Sequence, residues 1–239
     1  MAFVTGSPEI KPERPFFCSI LANTLLSLVP GISGAGATPE KTLLTPILDA
    51  ELIACGSITS MPVRPDTPTG CPTPASITRA VMDLTGLSPL FINGGLVHTP
   101  TVPCLDLYGS PGADPRFGDS VPAADDLFRK GGSIGRFLGS VSDLLVIGEC
   151  VPGGTTTSLC VLRGLGYDAF VSSSYVKNPV RMKEEIWRIA NGRLREGGIS
   201  APLDVVRCCG DPMIAIAAGI AATYPGPLIL AGGTQMLSV

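Results

Sequence analysis

Histidine is nearly absent from this chain of 239 residues: His98 is the only one, and neither cysteine nor carboxylate stands within a helical turn of it. A zinc set built on histidine is therefore not expected, and the lack of any Cys-x-x-C pair argues against a thiolate set. Charged residues make up 15% of the chain, aromatics 5%, and the net charge is −3. Its basic residues are mostly scattered singly, so no electrostatic footprint for nucleic acid is present. Heptads with flanking charges are missing, which excludes a coiled coil, and a hydrophobic content of 45% excludes disorder. Uninterrupted apolar runs are short as well. Two uncharged stretches, from Pro15 to Pro39 and from Pro212 to Val239, are cut by Pro30-Gly31 and by Pro225-Gly226-Pro227. Each piece falls below the roughly 20 residues that span a bilayer, so no membrane partner is expected.

Glycine, proline and cysteine are plentiful, at 29, 23 and 8 residues. The length suits one α/β domain that buries most of its unfolded surface. Six of the cysteines stand singly among apolar or small neighbours, and Cys208 and Cys209 are adjacent, a spacing unsuited to an ordinary bridge. They read as reduced core thiols, which suits a cytoplasmic compartment. One stretch mimics a signal peptide, with Lys11 and Arg14 ahead of an apolar Phe16–Val29 segment and small residues at 33–37, but Glu9 and Glu13 fall in its would-be basic region.

Along the chain the pattern is one of alternating elements, without internal repeats. The N-terminal third reads as apolar helix and loop. A helix is predicted to begin at Thr38-Pro39-Glu40, with Thr38 as its cap, and to restart at Pro46. Five prolines between Pro62 and Pro74 forbid regular structure there and predict an ordered loop or a lid. Helix is predicted from Ser76 to Leu84, strand at Leu90–Ile92, and two short helices near 123–130 and 134–138. The apolar run Leu144–Ile147 predicts a strand buried on both faces of a parallel sheet. Further units follow, with strands at Tyr167–Val171, Val205–Val206 and Leu228–Leu230 and helices at Pro179–Ala190 and Met213–Thr223. The fold class expected is α/β, a three-layer Rossmann-like parallel sheet with helices on both faces. The N-terminal helical and Pro-rich part runs to about residue 140 and the parallel core from about 141 to 239.

The richest stretch is Gly148-Glu149-Cys150-Val151-Pro152-Gly153-Gly154-Thr155-Thr156-Thr157, lying between the 144–147 strand and a helix from Ser158. Strand, glycine turn, hydroxyl cluster and helix in that order put free N–H groups at a helix N-terminus, which favours phosphate. No lysine follows the glycines and no G-x-G-x-x-G is present, so neither the Walker A loop nor the dinucleotide fingerprint fits. A helix cap with an obliging turn explains the same residues. Glu149 falls at the carboxyl end of the strand, where open α/β sheets place ligands, and its apolar flanks favour a raised pKa and a role as base. An ordinary surface acid is the competing reading. Lys183, in the first turns of the 179–190 helix and close to Ser172-Ser173-Ser174, either reaches the same phosphate or pairs with Glu184 or Glu185 as a solvated helix lysine.

The 149–157 stretch resembles the glycine loop of the nicotinate-nucleotide:dimethylbenzimidazole phosphoribosyltransferase (CobT) family, and is similar above all to an archaeal and cyanobacterial branch in which it reads Glu-x-x-Pro-Gly-Gly-Thr-Thr-Thr. The resemblance extends through Pro30-Gly31-Ile32-Ser33 with Ala35-Gly36-Ala37, through Thr73-Pro74-Ala75 with Thr78-Arg79-Ala80, through Ser172–Ser174 with Asn178-Pro179 and Lys183, and through Gly232-Gly233-Thr234-Gln235-Met236. It implies transfer of phosphoribose from nicotinate mononucleotide to a nitrogen of 5,6-dimethylbenzimidazole, with inversion at C1′, giving nicotinate and α-ribazole phosphate for cobalamin synthesis. It implies no metal or redox cofactor, and a cytoplasmic homodimer. Glu149 is then the catalytic candidate. Gly153, Gly154, Thr155, Thr156, Thr157, Ser173, Lys183, Gly232, Gly233 and Thr234 are the candidates for phosphate and nucleotide, and Pro74, Ser76 and Arg79 for the base pocket.

The sequence departs from that family in two places. Ala231 stands where the family has the Asp of an Asp-Gly pair. Family members also run past the point matching Val239, and the glutamate generally taken as their base lies in that extension, so the chain is expected to be C-terminally incomplete. A non-catalytic nucleotide-binding homologue, and a phosphosugar enzyme of unrelated chemistry, share the same loop.

Overall fold

The computed structural model describes residues 10–63, 70 and 72–239. Among the described residues the first regular element is a strand, β1 (Pro15–Ala22), followed by the short helix α1 (Pro39–Thr42), then α2 (Thr45–Cys55) and α3 (Ala75–Thr85). Strands β2 (Pro89–Gly95) and β3 (Cys104–Asp106) lead to helix α4 (Ala124–Val141). The second half runs β4 (Leu144–Cys150), α5 (Gly154–Gly164), α6 (Val180–Glu196), α7 (Pro202–Cys209), α8 (Pro212–Thr223) and β5 (Leu228–Leu230). The five strands form one parallel sheet in the order β3-β2-β1-β4-β5. β1 is its centre, paired with Pro89–Gly95 on one side and Leu144–Cys150 on the other.

Alternation along β1 divides the core into two. Cys18, Ile20 and Ala22 join Ile92, Leu145 and Ile147 beneath α8, whereas Phe17 and Leu21 join Phe91, Ala50 and Ile53 on the α2–α3 side. Helices therefore cover both faces of a doubly wound α/β sheet, the class predicted. Among the described residues, no helix is long and apolar enough to cross a membrane.

Several element predictions are corrected. The Phe16–Val29 segment, read as helix or signal-like, begins instead inside the central strand; its bulky apolar residues are what a strand buried on both faces requires. Three of the five strands, β1 to β3, thus precede residue 140, within the stretch expected to be helical and Pro-rich. Tyr167–Val171 forms no strand: Arg163 donates to the Ala169 carbonyl at 3.0 Å, Asn178 to the Val171 carbonyl at 2.7 Å, and Phe170 is exposed. Val205–Val206 lies inside α7, because Pro202 opens a helix there and the apolar residues of 202–209 recur with helical spacing. The two short helices near 123–138 are one, α4, which its glycines do not interrupt. Thr38 caps α1 as predicted, accepting from the Lys41 N–H at 3.3 Å, and Pro46 opens α2. Of the proline-rich 62–74 loop, residues 64–69 and 71 lie outside the described residues.

The glycines of α4 have a packing role. A Cβ on Gly131 or Gly135 would come within 2.4 and 2.6 Å of the Ile216 and Ile220 carbonyl oxygens of α8, and one on Gly219 within 2.1 Å of the Phe128 carbonyl. The two helices meet backbone to backbone. Gly219→Ala, despite a better helix propensity, is expected to lower stability by about 1–3 kcal/mol, since no flexible side chain can give way. Gly192→Ala in α6, where a Cβ meets nothing within 4 Å, is expected to raise it by about 0.5–1 kcal/mol. Urea midpoints of the two variants test the contrast.

Candidate functional site

The chain leaves β1 toward β2 and β3 on one side and returns to β4 on the other, so the strand order reverses between β1 and β4. Crevices outside the strand ends at such a point are where open α/β sheets hold ligands. Two residues at the end of β1 build the crevice. Asn23, fully buried, donates to the Leu43 carbonyl at 3.1 Å and accepts from the Val97 N–H at 2.9 Å, joining the ends of β1 and β2 to the α1–α2 connection. Thr24 donates to the Pro152 carbonyl at 2.7 Å and fixes the turn that follows β4.

In that turn Gly153 adopts φ +83°, and a Cβ there would meet the Thr24 hydroxyl at 2.5 Å; conformation and space both demand glycine. Helix α5 begins directly after it. The Thr155 N–H has no backbone acceptor among the described residues, so it is an orphan donor at the positive end of the helix dipole. Lys183 is only 1% exposed and reaches Thr155 rather than solvent: its Nζ donates to Thr155 Oγ1 at 3.1 Å and to the Ser172 carbonyl. Burial lowers its pKa to about 8. The reading of Lys183 as a solvated lysine paired with Glu184 or Glu185 is thereby removed, and Glu184 instead binds Arg163 at 2.7 Å.

Glu149 is the penultimate residue of β4, beside this helix. Its Oε2 accepts the Val151 N–H at 3.1 Å, and its Oε1 faces the Gly232 turn after β5. Burial, and then the negative charges of Asp211 and Asp49, push its pKa up to about 7. Asp211 is fully buried, caps α8 through the Ile214 N–H at 3.3 Å and accepts the Thr157 hydroxyl at 2.6 Å; burial raises it to about 6.

A cavity of about 740 Å³ opens over the strand ends, lined by Glu149, Gly153, Gly154, Thr155, Gly232 and Gly233 and, on its far side, by residues of α2 and α3 and by Pro74 just ahead of α3. Other predicted site residues stand elsewhere. Thr156 and Thr157 are wholly buried; the Thr156 hydroxyl has no partner among the described residues, and that of Thr157 is committed to Asp211. Thr234 bonds the Ser172 hydroxyl at 2.8 Å, and Ser173 accepts from Tyr175, so both hold the 172–175 turn while neighbouring Ser174 lines the cavity. Ser76 lies in the first turn of α3, outside the lining. Arg79 is turned away: it donates to the Ile53 and Ala54 carbonyls at the end of α2, at 3.1 and 2.9 Å, and pairs with Asp83.

Sequence reasoning passed over Asp49 and Gln235. Asp49 lines the cavity on α2, and Gln235 donates to the Val151 carbonyl at 3.0 Å, packed so closely on Gly154 that a Cβ there has no room. Asp49 stands in no recognisable spacing, and Gln235 lies in the 232–236 stretch that carries the resemblance but was not singled out for the site. The approach of Asp49 to the site is purely tertiary.

The strand order and the glycine turn at its reversal define a doubly wound α/β protein with its crevice at the switch point. Among solved structures, the fold is similar to nicotinate-nucleotide-dimethylbenzimidazole phosphoribosyltransferase from Thermus thermophilus, with a TM-score of 0.70 and 19% identity over 95% of this chain and 63% of that one. A structure of CobT from the same organism matches with the same score and identity over 65% of its length. At that identity the likeness is one of fold, and this chain spans slightly under two thirds of both. No protein-family model matches the chain. Among curated proteins, a UPF0284 protein of Methanosarcina acetivorans is 40% identical over an alignment of 249 positions, covering all of this chain and 70% of the relative. A UPF0284 protein of Thermococcus gammatolerans is 42% identical over 93% of this chain and 68% of its own length. The chain belongs to the UPF0284 family.

A pH dependence follows from Glu149. Its folded pKa of about 7 lies above its ordinary 4.5, so the folded state holds the proton more tightly and stability falls as pH rises between these values. Glu149→Gln, which cannot ionise, is expected to shrink the loss of urea midpoint between about pH 5 and about pH 8. Part of the loss remains, carried by Asp211 and Asp49, both raised to about 6.

Proposed function

We propose that this protein is a phosphoribosyltransferase that moves phosphoribose from nicotinate mononucleotide to the nitrogen of a benzimidazole, forming α-ribazole phosphate on the route to cobalamin. The observation that carries this reading is one carboxylate with a pKa near 7, Glu149, lining the same cavity as the N-terminus of α5. The fold shared with the Thermus thermophilus phosphoribosyltransferase supports it.

In this reading the 5′-phosphate binds at Gly153, Gly154 and Thr155, where the orphan N–H and the helix dipole attract an anion. Lys183, anchored on the Thr155 hydroxyl, adds its positive charge. Gly232 and Gly233 let the ribose approach the backbone after β5. The azole nitrogen attacks C1′ from the face opposite nicotinate; the C1′–nicotinate bond breaks as the new C–N bond forms, and the azole N–H proton passes to Glu149. A base with a pKa near the working pH is well matched to that transfer. Holding the two partners in line supplies much of the acceleration, because the reacting centre develops positive charge that needs no acid to assist it. Ala231, standing where the resembling family has aspartate, leaves Glu149 as the carboxylate nearest the Gly232 turn.

Incubation with nicotinate mononucleotide and 5,6-dimethylbenzimidazole is expected to release nicotinate and α-ribazole phosphate in equal amounts, resolved by chromatography. Glu149→Gln is expected to lower turnover by about 10²–10⁴ while nucleotide affinity stays near that of the unaltered chain. The wild-type rate is expected to rise with pH through about 7, as Glu149 loses its proton and becomes able to accept another. Nucleotide binding without turnover in the wild-type chain would replace this reading with that of a nucleotide-binding protein.

A further inference from the structure

A second cavity, of about 530 Å³, opens at the ends of β2 and β3, and none of the residues lining it also lines the crevice beside β4. The register pairs Asp106 with Asn93, and both line this cavity. Val102, buried with Phe91 in the core on the α2–α3 side, lines it too, whereas His98, Asp106 and Tyr108 are exposed. The crevice beside β4 presents N–H donors that attract an anion. Here Asp106 is the one acidic or basic side chain besides His98 among the described lining residues, so the local charge favours a cation. Among the described residues, no three His, Cys, Asp or Glu side chains gather closely enough to hold a metal ion.

Tyr108 is the feature of this cavity that packing does not explain. Among the described residues it is the one non-glycine with a positive φ, at +57°, a region disfavoured for any side chain with a Cβ. Two contacts impose that conformation. Gly109 presses so closely on β2 that a Cβ there would clash with the Gly94 carbonyl, and Asp106 Oδ1 accepts the Tyr108 N–H at 2.7 Å. Glycine would adopt the same turn without strain, and burial offers the ring little in return, because Tyr108 is 84% exposed. Lys130 lies over the ring at 5.9 Å from its centroid, held there by the Leu107 carbonyl and by Asp126, both at 2.7 Å. The chain thus already sets a cation against this ring, with the carboxylate of Asp106 two residues away.

We propose that the cavity binds a small organic cation of the guanidinium class, stacked on Tyr108 with its N–H groups on the Asp106 carboxylate. A guanidinium is flat, so it lies on an aromatic face, and its fork of donors matches the two oxygens of a carboxylate. Oδ1 retains the Tyr108 N–H while accepting from the ligand, since each carboxylate oxygen has two acceptor positions. An anionic ligand is repelled by Asp106, and an alkylammonium has no plane to stack. The volume is that of a small-molecule site, and the assignment is independent of the transferase reading.

His98 is the only histidine in the chain, so its imidazole C–H signals in the proton NMR spectrum of the untagged protein report on this cavity alone. Titration with agmatine is expected to shift them saturably. Putrescine, which has an ammonium in place of the guanidinium, is expected to bind about fivefold more weakly. Asp106→Asn keeps an acceptor for the Tyr108 N–H and removes the charge, and is expected to weaken agmatine about tenfold. Tyr108→Gly suits the backbone and removes the ring; it is expected to weaken agmatine about two- to fivefold with no fall in urea midpoint. Glu149→Gln is expected to leave agmatine affinity unchanged. The proposal is overturned by the absence of a saturable shift, by equal affinity for putrescine, or by an affinity unmoved in Asp106→Asn or Tyr108→Gly. A loss of affinity in Glu149→Gln would instead assign the cation to the crevice beside β4 and overturn it as well. None of these readouts depends on turnover.

Discussion

The hydrogen bond from the Thr24 hydroxyl to the Pro152 carbonyl joins the end of the central strand to the turn on which every candidate group depends. It holds the Gly153 turn against β1, where Gly153 has no space for a side chain, and so fixes where α5 begins and where its N-terminal N–H groups point. The aim of Lys183 at Thr155, the exposure of Glu149 to the cavity and the seat of Gln235 on Gly154 are all set relative to that turn. Asn23, one residue earlier, does the same for the opposite wall by fixing the α1–α2 connection. Two adjacent side chains at the end of one strand thereby define both sides of the crevice.

The electrostatic character of the site comes from the same economy of polar groups. Asp211 serves α8 as its cap and Thr157 as an acceptor, yet its buried charge also raises Glu149. A residue whose structural duty is local thus sets the proton affinity of a carboxylate in the cavity. Lys183 is the counterpart: taken out of water and, among the described residues, bonded only to neutral oxygens and paired with no acid, it places a positive charge beside the helix N-terminus, and burial has already made that charge easier to lose.

The βα unit from Leu144 to Gly164 was readable in the sequence because its signals are local: a β-branched apolar run, a turn with two glycines, and a helix opening on three threonines. β1 was not, since a strand buried on both faces shows no alternation, and Phe16–Val29 has the composition of a buried helix or a leader as much as of a strand. The same ambiguity misassigned Val205–Val206, two β-branched residues whose helical environment is fixed by Pro202 and by packing on α5 and α6. Within the site, Glu149 and Lys183 were accessible to reasoning because each lies beside a polar turn. Asp49 lies in the middle of a helix among apolar residues, and only the fold brings Thr73 and Cys150 to it.

The direct contact of α4 with α8 has a consequence for how this protein can diverge. Gly131 and Gly219 face carbonyl oxygens, and Gly135 faces the Ile220 carbonyl as well as the Thr223 hydroxyl, so a gain of one methyl group at any of them cannot be absorbed by a rotamer change alone. The helices would have to separate along their length, carrying with them Asp211 at the start of α8. Single substitutions along this seam are therefore closed to gradual drift, and a lineage that changed the spacing of these helices would need to change both partners together. The acid–base behaviour of the cavity is in this way tied to positions on the far side of the sheet.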